Sequence, residues 1–277
     1  MTTGTKIKKA ILYLGLILLA LTCLLPFLMM MVNATRSGNE IMTSFTLIPG
    51  SSLKENWEIV SNYFNIFKGI LNSVIVAFPA TLMTAYFSAM TAFALAIYKF
   101  KGKNILFAVI LLFMMIPAQL GLLGFYDLVS FLHLINSYIP LIIPAVAAPG
   151  TVFFLKQYVE SVLPPALLEA ARIDGASELY IFHKIVLPIM SPGIATMAIG
   201  AFIGNWNSYL TPMLILTKTE KYTLPVLIAT LNSSTDIVSN QGATYLAVAI
   251  SVIPILIVFC FCSKYIISSI SAGSVKE

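Results

Sequence analysis

Between Glu169 and Pro188 the chain reads EAARIDGASELYIFHKIVLP, a polar run set within otherwise apolar sequence. These residue types suit docking rather than covalent chemistry. Pro164-Pro165 ends one helix and starts the next, because proline is favoured at a first helical position. Leu167, Ala170, Ala171 and Asp174 recur at helical spacing and form one stripe, whose small alanines permit close approach to another surface. Glu169 falls in the first turn, where a carboxylate meets the positive end of the helix dipole, and Arg172 follows three residues later and can pair with it. Gly175 suits the left-handed position that stops a helix. Ser177 is positioned to cap a second short helix, which Pro188 ends. The expected product is a helix–turn–helix knob. Periodicity leaves open a second reading, an amphipathic helix lying on a membrane surface, although such helices usually carry several basic residues opposite large apolar ones.

Other reactive residue types do not converge. Cys23, Cys260 and Cys262 all lie in apolar stretches and read as small buried hydrophobes. Cys-x-Cys on a helix points its thiols to different faces, which disfavours a metal site. No GxxxxGK[ST] phosphate loop occurs, so ATP has no evident site in this chain. No nucleophile–base or paired-carboxylate constellation is apparent, and His133 and His183 fall on opposite sides of the membrane in the topology below. Asn72, Ser73, Gln119, Tyr126, Asn205, Trp206, Asn207 and Tyr209 place hydrogen-bonding or aromatic groups in apolar segments. Such groups either bond between helices or line a path for a polar solute. Asn205 and Tyr209, four apart, share a helical face, with Trp206 beside it.

The elements that must position these residues are membrane helices. The chain has 277 residues, 59% of them hydrophobic and 10% charged, against about 45–50% and about 25% in soluble domains. The excess must face lipid, which accounts for the net charge of +5 better than nucleic acid does. Apolar windows of spanning length fall at roughly 10–33, 69–98, 104–126, 138–158, 193–216 and 242–265. They predict an all-α protein of six spans in one domain, with a loop at 159–192. The first window resembles a signal peptide at its lysines, yet it is long enough to span and no small-x-small site closes it, so a retained helix is expected. Pro79, Pro117, Pro144 and Pro254 predict kinks. Eleven basic residues collect on the side of the termini and five on the other. The positive-inside rule then places both termini, the KFKGK turn at Lys99–Lys103 and the polar loop in the cytoplasm. Outside lie 35–67, with a Pro49-Gly50 turn and Trp57 and Tyr63 as interfacial anchors, and 217–241, with the polar stretch Ser233 to Asp236.

The polar run also resembles the signature loop of permease subunits of binding-protein-dependent ABC importers. That pattern is Glu-Ala-Ala, three residues, Gly, nine residues, Ile-x-Leu-Pro; here it is Glu169-Ala170-Ala171, Gly175, Ile185-Val186-Leu187-Pro188. The likeness extends to Asn72-Ser73, AFALAIYKFKGK, MMIPAQLGLLGFYDL, NWNSYLTP, YTLPVLI and the tail from Ser271 to Lys276. Those segments are similar to carbohydrate importer permeases of the maltose and glycerol-phosphate type; at the tail's end Glu277 stands where relatives often have glycine.

The resemblance implies the type I importer transmembrane fold in a bacterial cytoplasmic membrane. It implies a second, homologous permease, two ATP-binding cassette subunits that hold ATP and magnesium, and an extracellular substrate-binding protein. Coupling to the ATPase would rest on Glu169, Ala170, Ala171, Asp174, Gly175, Leu187 and Pro188. The solute path would pass Asn72, Gln119, Tyr126, Asn205, Trp206, Asn207 and Tyr209. The expected function is sugar or oligosaccharide import by alternating access, with catalysis on a separate subunit. Glycerol phosphate or polyol is an alternative cargo, but a phosphate would favour cations near the path and the spans hold none. An ion-coupled secondary carrier, the reading from another class, usually needs an intramembrane charge, and none is evident.

Overall fold

The computed structural model describes residues 3–233 and 241–274, with side chains over 8–233 and 241–263 apart from Ala118. Ser234, Thr235, Asp236 and the final Val275, Lys276 and Glu277 lie outside the described residues, as do the side chains of Lys6, Lys264 and Ser271 to Ser274. Among the described residues every regular element is helical. In chain order these are α1 (Thr3–Asn33), α2 (Gly38–Thr43), α3 (Leu53–Tyr63), α4 (Ile66–Ile97), α5 (Lys103–Met115), α6 (Leu122–Phe131), α7 (Ile139–Ile142), α8 (Pro149–Val162), α9 (Pro165–Ile173), α10 (Glu178–Ile181), α11 (Leu187–Trp206), α12 (Leu210–Ile215), α13 (Leu224–Asn232) and α14 (Gln241–Ser274). Short 3-10 turns join several of them, and a π-helical turn at Phe182–Val186 joins α10 to α11.

Among the described residues, five helical stretches are long and apolar enough to cross a membrane: Lys8–Asn33, Ile66–Ile97, Ile139–Val162, Glu178–Trp206 and Gln241–Ser263. A bent pair over Lys103–Met115 and Gln119–Phe131 makes a sixth if counted as one span. Three expected spans are therefore corrected. The third is a helix bent by 87°, because Pro117 forces the residue before it out of the helical region: Ile116 has φ −84° and ψ 121°. Pro117 is thus a break rather than a kink. The fourth is interrupted between Ile142 and Pro149, where Pro144 sits in a 3-10 turn and Ala147 and Ala148 leave the helical region with ψ near 80°. The fifth lies upstream of 193–216. It begins at Glu178, ends at Trp206 and resumes briefly as α12. Pro79 and Pro254 lie inside unbroken helices.

The chain forms two compact units by internal contact: Met1–Phe67 with Leu227–Ile253, and Lys68–Val226 with Pro254–Glu277. In the first, α1 leaves no part of its apolar window buried, as suits a helix facing lipid or another subunit. Beyond α1 the chain is tied by Arg36, which is 3% exposed. Its guanidinium donates to Asn33 Oδ1 at 3.2 Å, the Glu40 carbonyl at 2.6 Å, and the Ser44 carbonyl and Oγ at 2.8 and 2.6 Å. Asn56 Nδ2 donates to the carbonyls of Ala34 and Arg36, each at 2.9 Å. Gly242 packs on this knot so closely that a Cβ there would stand 2.1 Å from the Arg36 carbonyl oxygen.

In the second unit a core of Ala89, Ala92 and Phe93 from α4, Leu155 and Val159 from α8, Leu168 from α9, Ile181 from α10, Phe182 and Val186 from the π turn and Met190 from α11 unites five helices. The segment after α12 is clasped rather than left loose. Asn72 Nδ2 donates to the carbonyls of Glu220 and Tyr222 at 2.9 Å each, and the Leu224 N–H donates to Ser73 Oγ at 2.8 Å. Asn136, at φ 59°, accepts from the Thr217 and Lys218 N–H groups through Oδ1.

Candidate functional site

The polar loop folds as a short helix pinned at both ends. Pro165 opens α9 at its first turn, where the missing N–H costs nothing. Its end is a Schellman turn. Gly175 has φ +78°, its N–H donates to the Arg172 carbonyl at 3.0 Å, and the Ala176 N–H donates to the Ala171 carbonyl at 3.0 Å. Ser177 then caps α10, its Oγ accepting from the Tyr180 N–H at 3.3 Å, as the sequence predicted.

The rest of the expected knob is revised. Pro188 does not end a second helix. α10 runs through the π turn into α11, and the Leu187 N–H bonds the Phe182 carbonyl, five residues back. That extra residue in the turn lets a helix carry proline without the usual steric conflict four residues earlier. The predicted stripe is split. Leu168 is 1% exposed and Ala171 packs on the core, whereas Leu167, Ala170 and Asp174 face outward beside Glu169 and Ile173. Burial of Leu168 contributes about 1.5–3 kcal/mol, so it anchors α9 while the alanine-bearing face stays open. Leu187 is half-buried, packed against the core.

Arg172 does not pair with Glu169. Its Nε donates to Glu178 Oε1 at 2.8 Å and its Nη2 to Glu178 Oε2 at 3.2 Å, while the guanidinium lies 5.8 Å from the Tyr98 ring centre. The Tyr98 hydroxyl donates to Glu178 Oε2. Burial first, then the Glu178 carboxylate, pushes the Tyr98 hydroxyl up to about 12, so it stays protonated and donating at neutral pH. The Arg172 and Glu178 side chains are 37% and 47% exposed, and such a pair adds about 0–1 kcal/mol to stability. Its consequence is geometric. A hollow of about 590 Å³ opens between the end of α4 and α9, lined by Ala96, Tyr98, Lys99, Pro165, Glu169 and Arg172 among others. Neither Tyr98 nor Glu178 stood out in the sequence, because only the folded chain brings positions 80 residues apart together.

The breaks in the spans surround a second site. A cavity of about 340 Å³ is lined by Val76 of α4, Gly121, Leu122 and Phe125 after the Pro117 break, Pro140, Leu141, Pro144 and Ala145 of the fourth span, and Asn205, Ser208, Thr211 and Pro212 around the fifth. Irregular backbone at membrane depth is tolerated where protein buries it or where it lines a cavity. Here Thr84 Oγ1 donates to the Ala145 carbonyl at 2.8 Å, satisfying one group that the break releases. The polar side chains lining the cavity are neutral: one amide and two hydroxyls beside an aromatic ring.

Of the expected path residues, Asn205 lines this cavity. Trp206 does not; it is 1% exposed and stacks on Phe202 at 5.7 Å between ring centres. Asn72 is 6% exposed and spends both amide hydrogens on the clasp, so it joins segments instead of facing a path. Asn205 and Tyr209 share no helical face, because α11 stops at Trp206 and Asn207 turns out of it. Asn207, Gln119 and Tyr126 are exposed and Tyr209 is half-buried, none of them in the cavity lining. Phe125, Ser208 and Thr211 were missed; their signal was their position beside Pro117 and Pro212, which mark broken helix. Among the described residues no cluster of metal-ligating side chains occurs.

A helical membrane bundle with interrupted spans around a polar cavity, and a capped helix held out from its core, defines the membrane subunit of a transporter. Residues 86–271 match the family described as binding-protein-dependent transport system inner membrane component, and the chain belongs to that family. It is 33% identical over 263 residues to the arabinooligosaccharides transport system permease protein AraQ of Bacillus subtilis (strain 168), covering 94% of this chain and 92% of that one. It is 33% identical over 263 residues to the diacetylchitobiose uptake system permease protein NgcG of Streptomyces coelicolor, covering 94% and 87%. The fold matches a solved bacterial ABC transporter involved in the import of the acidic polysaccharide alginate, with TM-score 0.80 at 21% identity over 96% of this chain and 99% of that one.

Proposed function

We propose that the chain is one of two permease subunits of an ATP-driven importer that passes a neutral sugar or oligosaccharide into the cytoplasm. The observation that carries this reading is the capped α9. Its anchored inner face and open outer face of Leu167, Ala170, Asp174 and Glu169 make a rigid, small-residue surface for another protein. Membership of a binding-protein-dependent family and likeness to two saccharide permeases support the assignment.

In this reading both termini and α9 face the cytoplasm. Two ATPase subunits, holding ATP and magnesium, bind α9 here and the equivalent helix of the partner permease. An extracellular binding protein delivers the solute. ATP-driven closure of the ATPases moves α9 together with the helices that share its core, and the cavity beside Asn205, Ser208 and Thr211 changes the side on which it opens. The solute shifts this equilibrium only through its different affinities for the two states. Neutral amide and hydroxyl groups beside Phe125 suit a polyhydroxyl ring better than an anion.

Co-purification of the tagged chain from its own membrane in mild detergent tests the assignment. An ABC ATPase and a second permease bound to it are expected. An intact complex containing neither would refute the reading.

A further inference from the structure

We infer that Tyr98, Glu178 and Arg172 form a latch that makes the end of α4 and the docking helix α9 move as one body. This rests on the function proposed above. Three links join α4 to the α10–α11 helix in register. Tyr86 Oη stands 3.1 Å from His183 Nε2, while His183 Nδ1 lies 2.7 Å from the Leu179 carbonyl and must donate to it. Phe93 stacks on Phe182 with centroids 5.8 Å apart. At the end of the helix, the Tyr98 hydroxyl meets Glu178.

The second link lies within the packed core, and the first flanks it, with Tyr86 packed against the core and His183 exposed. The third is different in kind. Tyr98 is held as a post: its ring stands edge-on to Phe93 at 5.4 Å, and Lys103 Nζ bonds its carbonyl at 3.3 Å. Glu178 joins this post on one side to Arg172 on the other, at the last turn of α9. The inner face of α9 packs on the core through Leu168 and Ala171, but beyond that contact a hollow separates α9 from the α4 terminus. The hydrogen bonds through Glu178 tie the two together across it. Force applied to the open face of α9 therefore reaches the second span directly, not only the fourth and fifth to which α9 is joined by chain. Tyr98, Glu178 and Arg172 are positioning residues, distinct from the surface that touches the ATPase.

The test uses the whole complex purified with its ATPase, with Cys23, Cys260 and Cys262 replaced and spin labels at Phe100→Cys and Ile173→Cys. Both positions are exposed. The probe is ATP with magnesium. One narrow label-to-label distance, unchanged on adding ATP, is expected for the intact latch. Glu178→Gln and Tyr98→Phe should each broaden that distance and make it ATP-dependent, while the ATPase still co-purifies. Exchanging the charges, Arg172→Glu with Glu178→Arg, keeps the ion pair and lets the Tyr98 hydroxyl oxygen accept from the introduced guanidinium, so the narrow distance should return, which a merely destabilised loop would not give. An ATP-dependent distance in the intact protein, or two variants that behave like it, would overturn the latch and leave the proposed function standing. A chain that purifies with no ATPase overturns both.

Discussion

The Leu187 N–H bonds the Phe182 carbonyl five residues back, one position before Pro188, and this π turn makes the polar loop continuous with a membrane helix. The loop therefore has one free helix, α9, and its second half is the root of a span. Any displacement of α9 acts at once on a helix whose last turn carries Asn205 into the cavity lining.

Gly175 is the point at which that root turns. Its φ of +78° strains a β-branched side chain, although a Cβ there would meet no atom within 4 Å. The left-handed region costs such residues about 1–2 kcal/mol. Gly175→Val should lower ATP-driven uptake at least severalfold with membrane insertion intact, whereas Gly175→Asn, which tolerates that region, should retain most of it. Uptake in proteoliposomes, scaled to assembled complex, decides the matter; equal rates for the two variants would argue against this geometry.

Asn72 and Asn205 should separate cleanly. Asn72→Ala leaves two carbonyls without their amide donor, at about 1–3 kcal/mol where such groups are buried. It should lower the melting temperature in detergent and leave the apparent KM for solute unchanged. Asn205→Ala should change that KM with little effect on melting. A reversed pattern would exchange their roles.

Gly242→Ala tests the knot around Arg36. The new Cβ would lie 2.1 Å from a backbone carbonyl and 2.6 Å from Asn56 Nδ2, so the helix must move and both Asn56 bonds stretch. A loss of about 1–3 kcal/mol, the usual range for overpacking, should appear as reduced accumulation and a lower melting temperature. Unaltered stability would show that α14 can shift freely here.

Tyr98 carries a signature in pH. Its folded pKa is raised from 10.0 to about 12 by burial and by Glu178. The sign follows directly: the neutral hydroxyl is favoured by folding, so its contribution is fully present below pH 10 and is lost as pH rises through about 12. The difference in tyrosinate absorbance between the intact protein and Tyr98→Phe should therefore show one tyrosine titrating late. Titration of that residue near 10 would contradict the bond to Glu178.

Much of this was readable in advance, for reasons that differ by element. The long helices at the first, second and sixth windows were legible because a long, continuous apolar window favours one unbroken helix. Gly175 and Ser177 were legible because caps are local chemistry. The breaks at Pro117 and near Pro144 were marked only by proline, which also sits harmlessly inside α4 and α14 at Pro79 and Pro254; the surroundings decide between kink and break. The partner of Arg172 was misread because Glu169 is near in sequence, whereas Glu178 becomes near only once the Schellman turn folds back. Asn72 and Trp206 drew attention as polar or aromatic residues in apolar sequence, but the clasp and the core that claim them are made by distant segments.

The central claim is that the outer face of α9 receives the ATPase, and photocrosslinking tests it most directly. A benzophenone amino acid at Ala170, exposed on that face, should give a covalent adduct with an ABC ATPase in the native membrane, and one at buried Leu168 should not. If Ala170 instead captures only lipid while the complex remains active, α9 lies on the membrane surface and the account of coupling given above is wrong.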